Sequence, residues 1–120
     1  MENKLDFEVF KILSDDNRLR VIVLLVDSEL CMTHIYKGLD LKQSNTSRNL
    51  KLLEKANVVS IRINGNNRYY KIADDFEKEH VDIMKYLKKL KKSVPFSSDY
   101  KRAKSIKNCG CGEDCECKLL

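Results

Sequence analysis

Apolar positions along this chain recur with two different periods, and the change of period sets the predicted order of elements. Leu5, Val9, Ile12 and Leu13 fall at helical spacing, with Phe7 and Phe10 widening the same face, so a first amphipathic helix is expected up to about Ser14. Asp15 then offers a capping oxygen to a second helix, whose buried stripe is Leu19, Ile22, Val23 and Val26. The apolar run over 21–26 could by itself be a strand. The acidic start and the flanking Arg18 and Arg20, spaced to stay in water, select helix instead. After the link Asp27-Ser28-Glu29, residues 32–39 predict a short helix with Ile35 and Leu39 inward, and Asp40-Leu41-Lys42 makes a turn. The next helix spans about 43–56 and sets Thr46, Leu50 and Leu53 on one side. Ser44, Ser47, Arg48 and Lys51 consequently point outward.

Beyond residue 58 the period drops to two. Val59, Ile61 and Ile63 alternate with Ser60 and Arg62, Asn64-Gly65 supplies the positive-φ pair of a tight hairpin, and residues 68–72 return as its second strand. Asp74-Asp75 opens a last long helix with an apolar seam of Phe76, His80, Ile83, Leu87 and Leu90. Nothing else in the chain is left to cover that seam, which implies a second subunit. Val94-Pro95 ends the helix, because proline fixes φ and disfavours a helical predecessor. Residues 98–107 predict one more short basic helix. From Asn108 onward glycine and cysteine dominate, and a mobile segment is expected unless something ligates it. At 120 residues there is length for a single core, so the predicted organisation is a domain over 1–92 and a flexible cysteine-rich tail over 93–120.

Charge sharpens this picture more by its placement than by its total. Over 41–72, Lys42, Arg48, Lys51, Lys55, Arg62, Arg68 and Lys71 stand against Glu54 alone, whereas residues 1–41 hold five basic and eight acidic side chains. The formal net charge of +5 is thus concentrated on the outward helix face and the hairpin. Such a face suits a polyanionic duplex, because neutralising phosphates releases counterions. No run of eighteen apolar residues exists, and Met1-Glu2-Asn3-Lys4 lacks the zones of a secretory signal, so no membrane association and a cytoplasmic location are expected.

Helix, helix, short helix, turn, helix, hairpin, helix is the order of a winged helix-turn-helix, a mainly α fold with a small β-hairpin. Four segments go further: Leu13-Ser14-Asp15-Asp16-Asn17-Arg18-Leu19-Arg20, Glu29-Leu30-Cys31, Gln43-Ser44-Asn45-Thr46-Ser47-Arg48-Asn49-Leu50-Lys51, and Asn64-Gly65 followed by Tyr69-Tyr70. Together they resemble the ArsR/SmtB family of bacterial metal-responsive repressors over about residues 13–72. The resemblance implies a homodimer joined through terminal helices, with recognition helices in adjacent major grooves of an inverted-repeat operator. Gln43, Ser44, Asn45, Ser47, Arg48 and Asn49 would then lie at or near base edges, Arg48 suiting a guanine and Gln43 an adenine. Lys51, Arg62 and Arg68 would hold phosphates. Asp40 replaces the glycine frequent at the turn, Lys42 the usual serine cap, and Asn49 the frequent histidine, so operator sequence does not transfer.

In a reducing compartment the five cysteines are expected as thiols. The arsenic- and cadmium-sensing motif Glu-Leu-Cys-Val-Cys reads here Glu29-Leu30-Cys31-Met32-Thr33, without its second thiol, so Cys31 reads equally as a small buried residue or as a ligand. His80 reads as a seam residue rather than a metal ligand. In the tail, Cys109, Cys111, Cys115 and Cys117 form two Cys-x-Cys pairs with glycines that permit tight turns. Three of these sulfurs would satisfy arsenite and four would suit zinc or cadmium, with antimonite and lead as further candidate inducers. No obligatory cofactor is implied, and no nucleophile–base arrangement or Gly-rich phosphate loop supports an enzyme. Three readings stay beside the metal-responsive repressor: a repressor sensing thiol oxidation or persulfide, a cysteine-tailed metal buffer, and a winged helix that contacts only proteins.

Overall fold

Residues 3–106 and 116–119 are described by a computed structural model, in the order α1 (Asn3–Leu13), α2 (Asp16–Leu25), β1 (Ser28–Cys31), α3 (Met32–Leu39), α4 (Gln43–Lys55), β2 (Val59–Asn64), β3 (Asn67–Ile72), α5 (Asp74–Glu79), α6 (Val81–Leu90), α7 (Phe96–Ser105) and β4 (Lys118–Leu119). The ambiguous run over 21–26 is helical through Leu25. Asp15 accepts the Arg18 N–H at 3.0 Å, which satisfies one orphan donor of the first turn, and the whole run from Val21 to Leu25 is buried. α2 is the central helix, touching α1, α3, α4, α6 and α7. A helix surrounded by neighbours need not be amphipathic, and this one is apolar nearly all round its second half.

Four strands form one antiparallel sheet in the order β2-β3-β1-β4. The hairpin runs in register from Val59 opposite Ile72 to Asn64 opposite Asn67, and Gly65 takes φ +64°, the conformation its turn requires. β1 falls partly on the segment expected to be a link. Its Leu30 and Cys31 pair with Tyr70 and Tyr69, after Asp27 at φ 60° has turned the chain out of α2. On the other edge of β1 lies β4, with Ser28 opposite Leu119 and Glu29 opposite Lys118. Residues 116–119, placed by their composition in a mobile tail, are thus paired to the body. The rest of the expected mobile segment, 107–115, lies outside the described residues.

The single long helix expected after the hairpin is two helices. His80 adopts φ −128°, ψ 54° between α5 and α6, its ring tilted against Phe76 with centroids 4.7 Å apart. Of its apolar seam, Phe76 and Leu87 belong to the core, while Ile83, Leu87 and Leu90 also line a groove shared with Phe10, Leu13 and Leu19. Phe7 and Phe10 on α1 and Val81 and Tyr86 on α6 are exposed.

α7 lies wholly beyond residue 92, yet it closes the core rather than leaving it. Ala103 is fully buried, and its carbonyl lies 2.8 Å from His34 Nε2 of α3. Arg20, expected to be wet, instead donates Nε and Nη2 to the two oxygens of Asp99 on α7 at 2.9 and 2.8 Å. Arg18 likewise turns inward, its Nε on the Ile12 carbonyl at 2.9 Å. Contact between α3 and α7 is close because residue 38 is glycine: a Cβ there would stand 2.7 Å from Ala103 Cβ and 3.2 Å from its Cα. Gly38→Ala should therefore lower stability by about 1 kcal/mol in chemical denaturation, overpacking of about 2 kcal/mol outweighing roughly 1 kcal/mol of helix propensity. An unchanged midpoint would mean that α7 does not seat this closely.

Candidate nucleic-acid interface and thiol cluster

The turn between α3 and α4 forms without glycine. Asp40 takes the left-handed conformation at φ 57°, ψ 45°, tolerable for a short polar side chain, and its N–H reaches the Lys37 carbonyl at 3.2 Å. Leu41 N–H closes on the Tyr36 carbonyl at 2.9 Å. α4 then begins at Gln43 after Lys42, which makes no side-chain cap, and its first turn carries no acid. The N–H groups there stay available to an anion.

Along α4 the periodicity holds. Thr46, Leu50 and Leu53 are buried, Gln43, Ser44, Arg48 and Lys51 are exposed, and Asn45 and Ser47 are half-buried. Asn49 differs from its expected place. It is only 7% exposed, because it follows Thr46 by three positions and so joins the inner face, where its amide donates to Asn45 Oδ1 at 2.7 Å. Asn49 is a support for Asn45 rather than part of the open surface. Arg48 and Lys51 form no ion pair among the described residues.

The hairpin presents its cations unequally. Arg68 is exposed, while Lys71 Nζ lies 3.2 Å from Asp74. Arg62 is held between carboxylates, donating Nε and Nη2 to Glu29 at 3.1 and 2.9 Å and Nη1 to Glu116 at 2.7 Å, with its guanidinium 4.6 Å above the Tyr69 ring. Those hydrogen bonds hold both carboxyls below their ordinary range and raise the arginine further. Carboxyls so depressed contribute to the clamp above their ordinary value near 4.5, and the contribution fades as pH falls through their lower bound-state values. Protection of β1 and β4 against hydrogen exchange should accordingly be greater at neutral pH than under acid conditions.

Cys31 ends β1 and caps α3, its Sγ accepting the His34 N–H at 3.4 Å. Its own N–H donates to Cys117 Sγ at 3.1 Å, and both cysteines belong to a small apolar cluster with Tyr69 and Ile106. Two cysteines 86 positions apart thus meet at the amino end of α3, through the backbone N–H of one and the sulfur of the other. Cys109, Cys111 and Cys115 lie outside the described residues, and among the described ones no group of three or more metal-ligating side chains converges. His34, not singled out by sequence, is buried beside Cys31. Its signal was its place next to Ile35 on the inner side of α3. No helix among the described residues is long and apolar enough to cross a membrane.

Comparison with known proteins agrees with this geometry. The model of a family described as bacterial regulatory proteins, arsR family, matches residues 15–60. A cadmium resistance transcriptional regulatory protein CadC homolog of Staphylococcus aureus is 31% identical over 83 residues, 68% of this chain and 69% of that protein. Among solved structures, the homodimeric winged helix-turn-helix DNA-binding domain of a possible ArsR-family transcriptional regulator from Mycobacterium bovis superposes with TM-score 0.60 at 25% identity, covering 69% of this chain and 78% of that one. The AntR antimony-specific transcriptional repressor superposes with TM-score 0.59 at 26% identity, covering 72% and 78% respectively.

Proposed function

This chain belongs to the ArsR family of bacterial regulatory proteins, transcriptional regulators rather than enzymes, and from that premise we propose that it is a homodimeric repressor released from an inverted-repeat operator when a thiophilic ion binds its cysteines. The observation that carries the DNA half is the outer face of α4, free of acid in its first turn, with Gln43, Ser44, Arg48 and Lys51 exposed on a helix anchored by Thr46, Leu50 and Leu53. In this reading Gln43 and Arg48 meet base edges, Lys51 and Arg68 meet phosphates, and Ser44, Ser47 and Asn45 lie close enough to adjust the fit. The exposed apolar residues of α1 and α6 would meet in the dimer.

Arsenite is the leading inducer, followed by antimonite, cadmium, lead and zinc. The convergence of Cys31 with Cys117 supports a sulfur site, and Cys109, Cys111 and Cys115 supply further thiols within nine positions of sequence. The cadmium and antimony named for the similar proteins are of the same soft chemistry. A mobility-shift assay on the chain's own promoter region, titrated with arsenite, cadmium, zinc and copper(I), tests the reading. Retention of the shifted band with every ion defeats it. The same pair of neighbouring thiols also favours an oxidation-sensing repressor, for which release by peroxide, with the modified cysteines trapped by mass spectrometry, is the distinguishing result.

A further inference from the structure

We infer that residues 116–119 are a latch joining the thiols to the wing: Cys31 and Cys117 are the body-anchored donor pair of the inducer site, and seating Cys117 draws Arg62 away from DNA. This rests on the repressor reading above and adds to it the route of regulation.

The segment makes four kinds of contact within four residues. Glu116 donates its N–H to Tyr69 Oη at 3.0 Å and accepts from Arg62 at 2.7 Å, Cys117 Sγ accepts from Cys31 N–H at 3.1 Å, and Lys118 and Leu119 pair with Glu29 and Ser28. Leu119 also packs on the main core. Glu116 and Cys117 are neighbours in the chain, so the thiol cannot take its place beside Cys31 without bringing the carboxylate to Arg62. The guanidinium of Arg62 is then faced by two carboxylates, Glu29 and Glu116, and a DNA phosphate would have to displace one of them against like-charge repulsion. When the segment leaves, Glu29 alone remains on Arg62 and the wing regains a cation for the backbone.

Docking of this kind is shallow. The strand has two residues and the Arg62–Glu116 pair is exposed. A shallow equilibrium is one that a ligand can shift, provided it prefers one state. Cys31 and Cys117 can share one soft ion only with the segment seated, which gives that preference. The Cys31 sulfur already accepts the His34 N–H at 3.4 Å at the amino end of α3. The donor set is two thiols close to one backbone N–H, the chemistry of a soft ion rather than of a hard one.

The full-length protein is tested as wild type, Cys117→Ser and Glu116→Gln, with cadmium and, separately, arsenite as probes. Readouts are anisotropy of a fluorescent promoter fragment, the ultraviolet thiolate-to-cadmium absorption, and hydrogen exchange over residues 28–31. Wild type should lose affinity by about 5- to 150-fold on loading. Its salt dependence should flatten by about 0.9 for each phosphate no longer neutralised, and residues 28–31 should exchange more slowly. Cys117→Ser should lose most of the release and the added protection. Glu116→Gln should keep the cadmium absorption yet release several-fold less. Full release by Cys117→Ser overturns the anchoring pair, and full release by Glu116→Gln overturns the route through Arg62, in both cases with the repressor reading intact. A wild type that no ion detaches removes that reading itself.

Discussion

Arg48→Ala should lower affinity for the operator by roughly 10- to 100-fold per half-site, and the loss should be concentrated at one base pair. Arg48 stands on the exposed side of α4 with no ion pair among the described residues, so its five N–H donors are available to a guanine edge. A bidentate pairing of that kind is worth about 1–3 kcal/mol of discrimination. Anisotropy titrations against a set of single-base operator variants check this. The wild type should distinguish the variants at one position and Arg48→Ala should not. Lys51→Ala is the companion measurement, since removing a phosphate-binding cation weakens every variant about equally and reduces the salt slope by about one. Uniform weakening by Arg48→Ala would reassign it to the backbone, and unchanged binding would remove α4 as the reading helix.

The largest effect on stability is expected from Asp99→Ala, about 2–3 kcal/mol in chemical denaturation. Asp99 is 2% exposed and accepts the fork of Arg20 at 2.9 and 2.8 Å and Arg102 Nη1 at 3.2 Å. The same two guanidiniums donate to the carbonyls of Leu39 at 2.7 Å and Gly38 at 2.8 Å, at the carboxyl end of α3 where cations are favoured. Removing the carboxylate leaves those cations without their counterion. Breaking a fully buried pair costs about 3–5 kcal/mol, and the cost here falls at or below the bottom of that range because the Arg20 side chain is 22% exposed and can partly rehydrate. Asp99→Asn, which keeps the shape and some hydrogen bonding, should lose less. The pair also ties α2 and α7 to the end of α3 just before the turn into α4, so operator affinity should fall with stability. A cost below 1 kcal/mol would show the pair to be dispensable.

What could be read from the residues depended on distance along the chain. Thr46, Leu50 and Leu53 announced the inner face of α4 because contacts at i, i+4 and i+7 follow from helical geometry alone. Asn49 was set among the base-edge residues by the resemblance, while its position, three after Thr46, puts it on the inner face. Arg20 misled for another reason: a charge was assigned to water, and its counter-charge lies 79 positions away. The break at His80 was hidden because the helical spacing of apolar residues from Phe76 to Leu90 continues across it and no glycine or proline marks it.

By itself the sequence determined the helix order, the Asn64-Gly65 hairpin, the open face of α4 and the resemblance to a repressor family, all of which rest on periodicity, turn chemistry and motifs acting over a few residues. Only the tertiary structure decided that β1 stands between β3 and β4, that α7 seats on Gly38, that Arg62 lies between two carboxylates, and that Cys31 meets Cys117. Each of these joins segments through space, and no local pattern encodes which distant partner a short strand, a buried cation or a thiol will find once the core has closed.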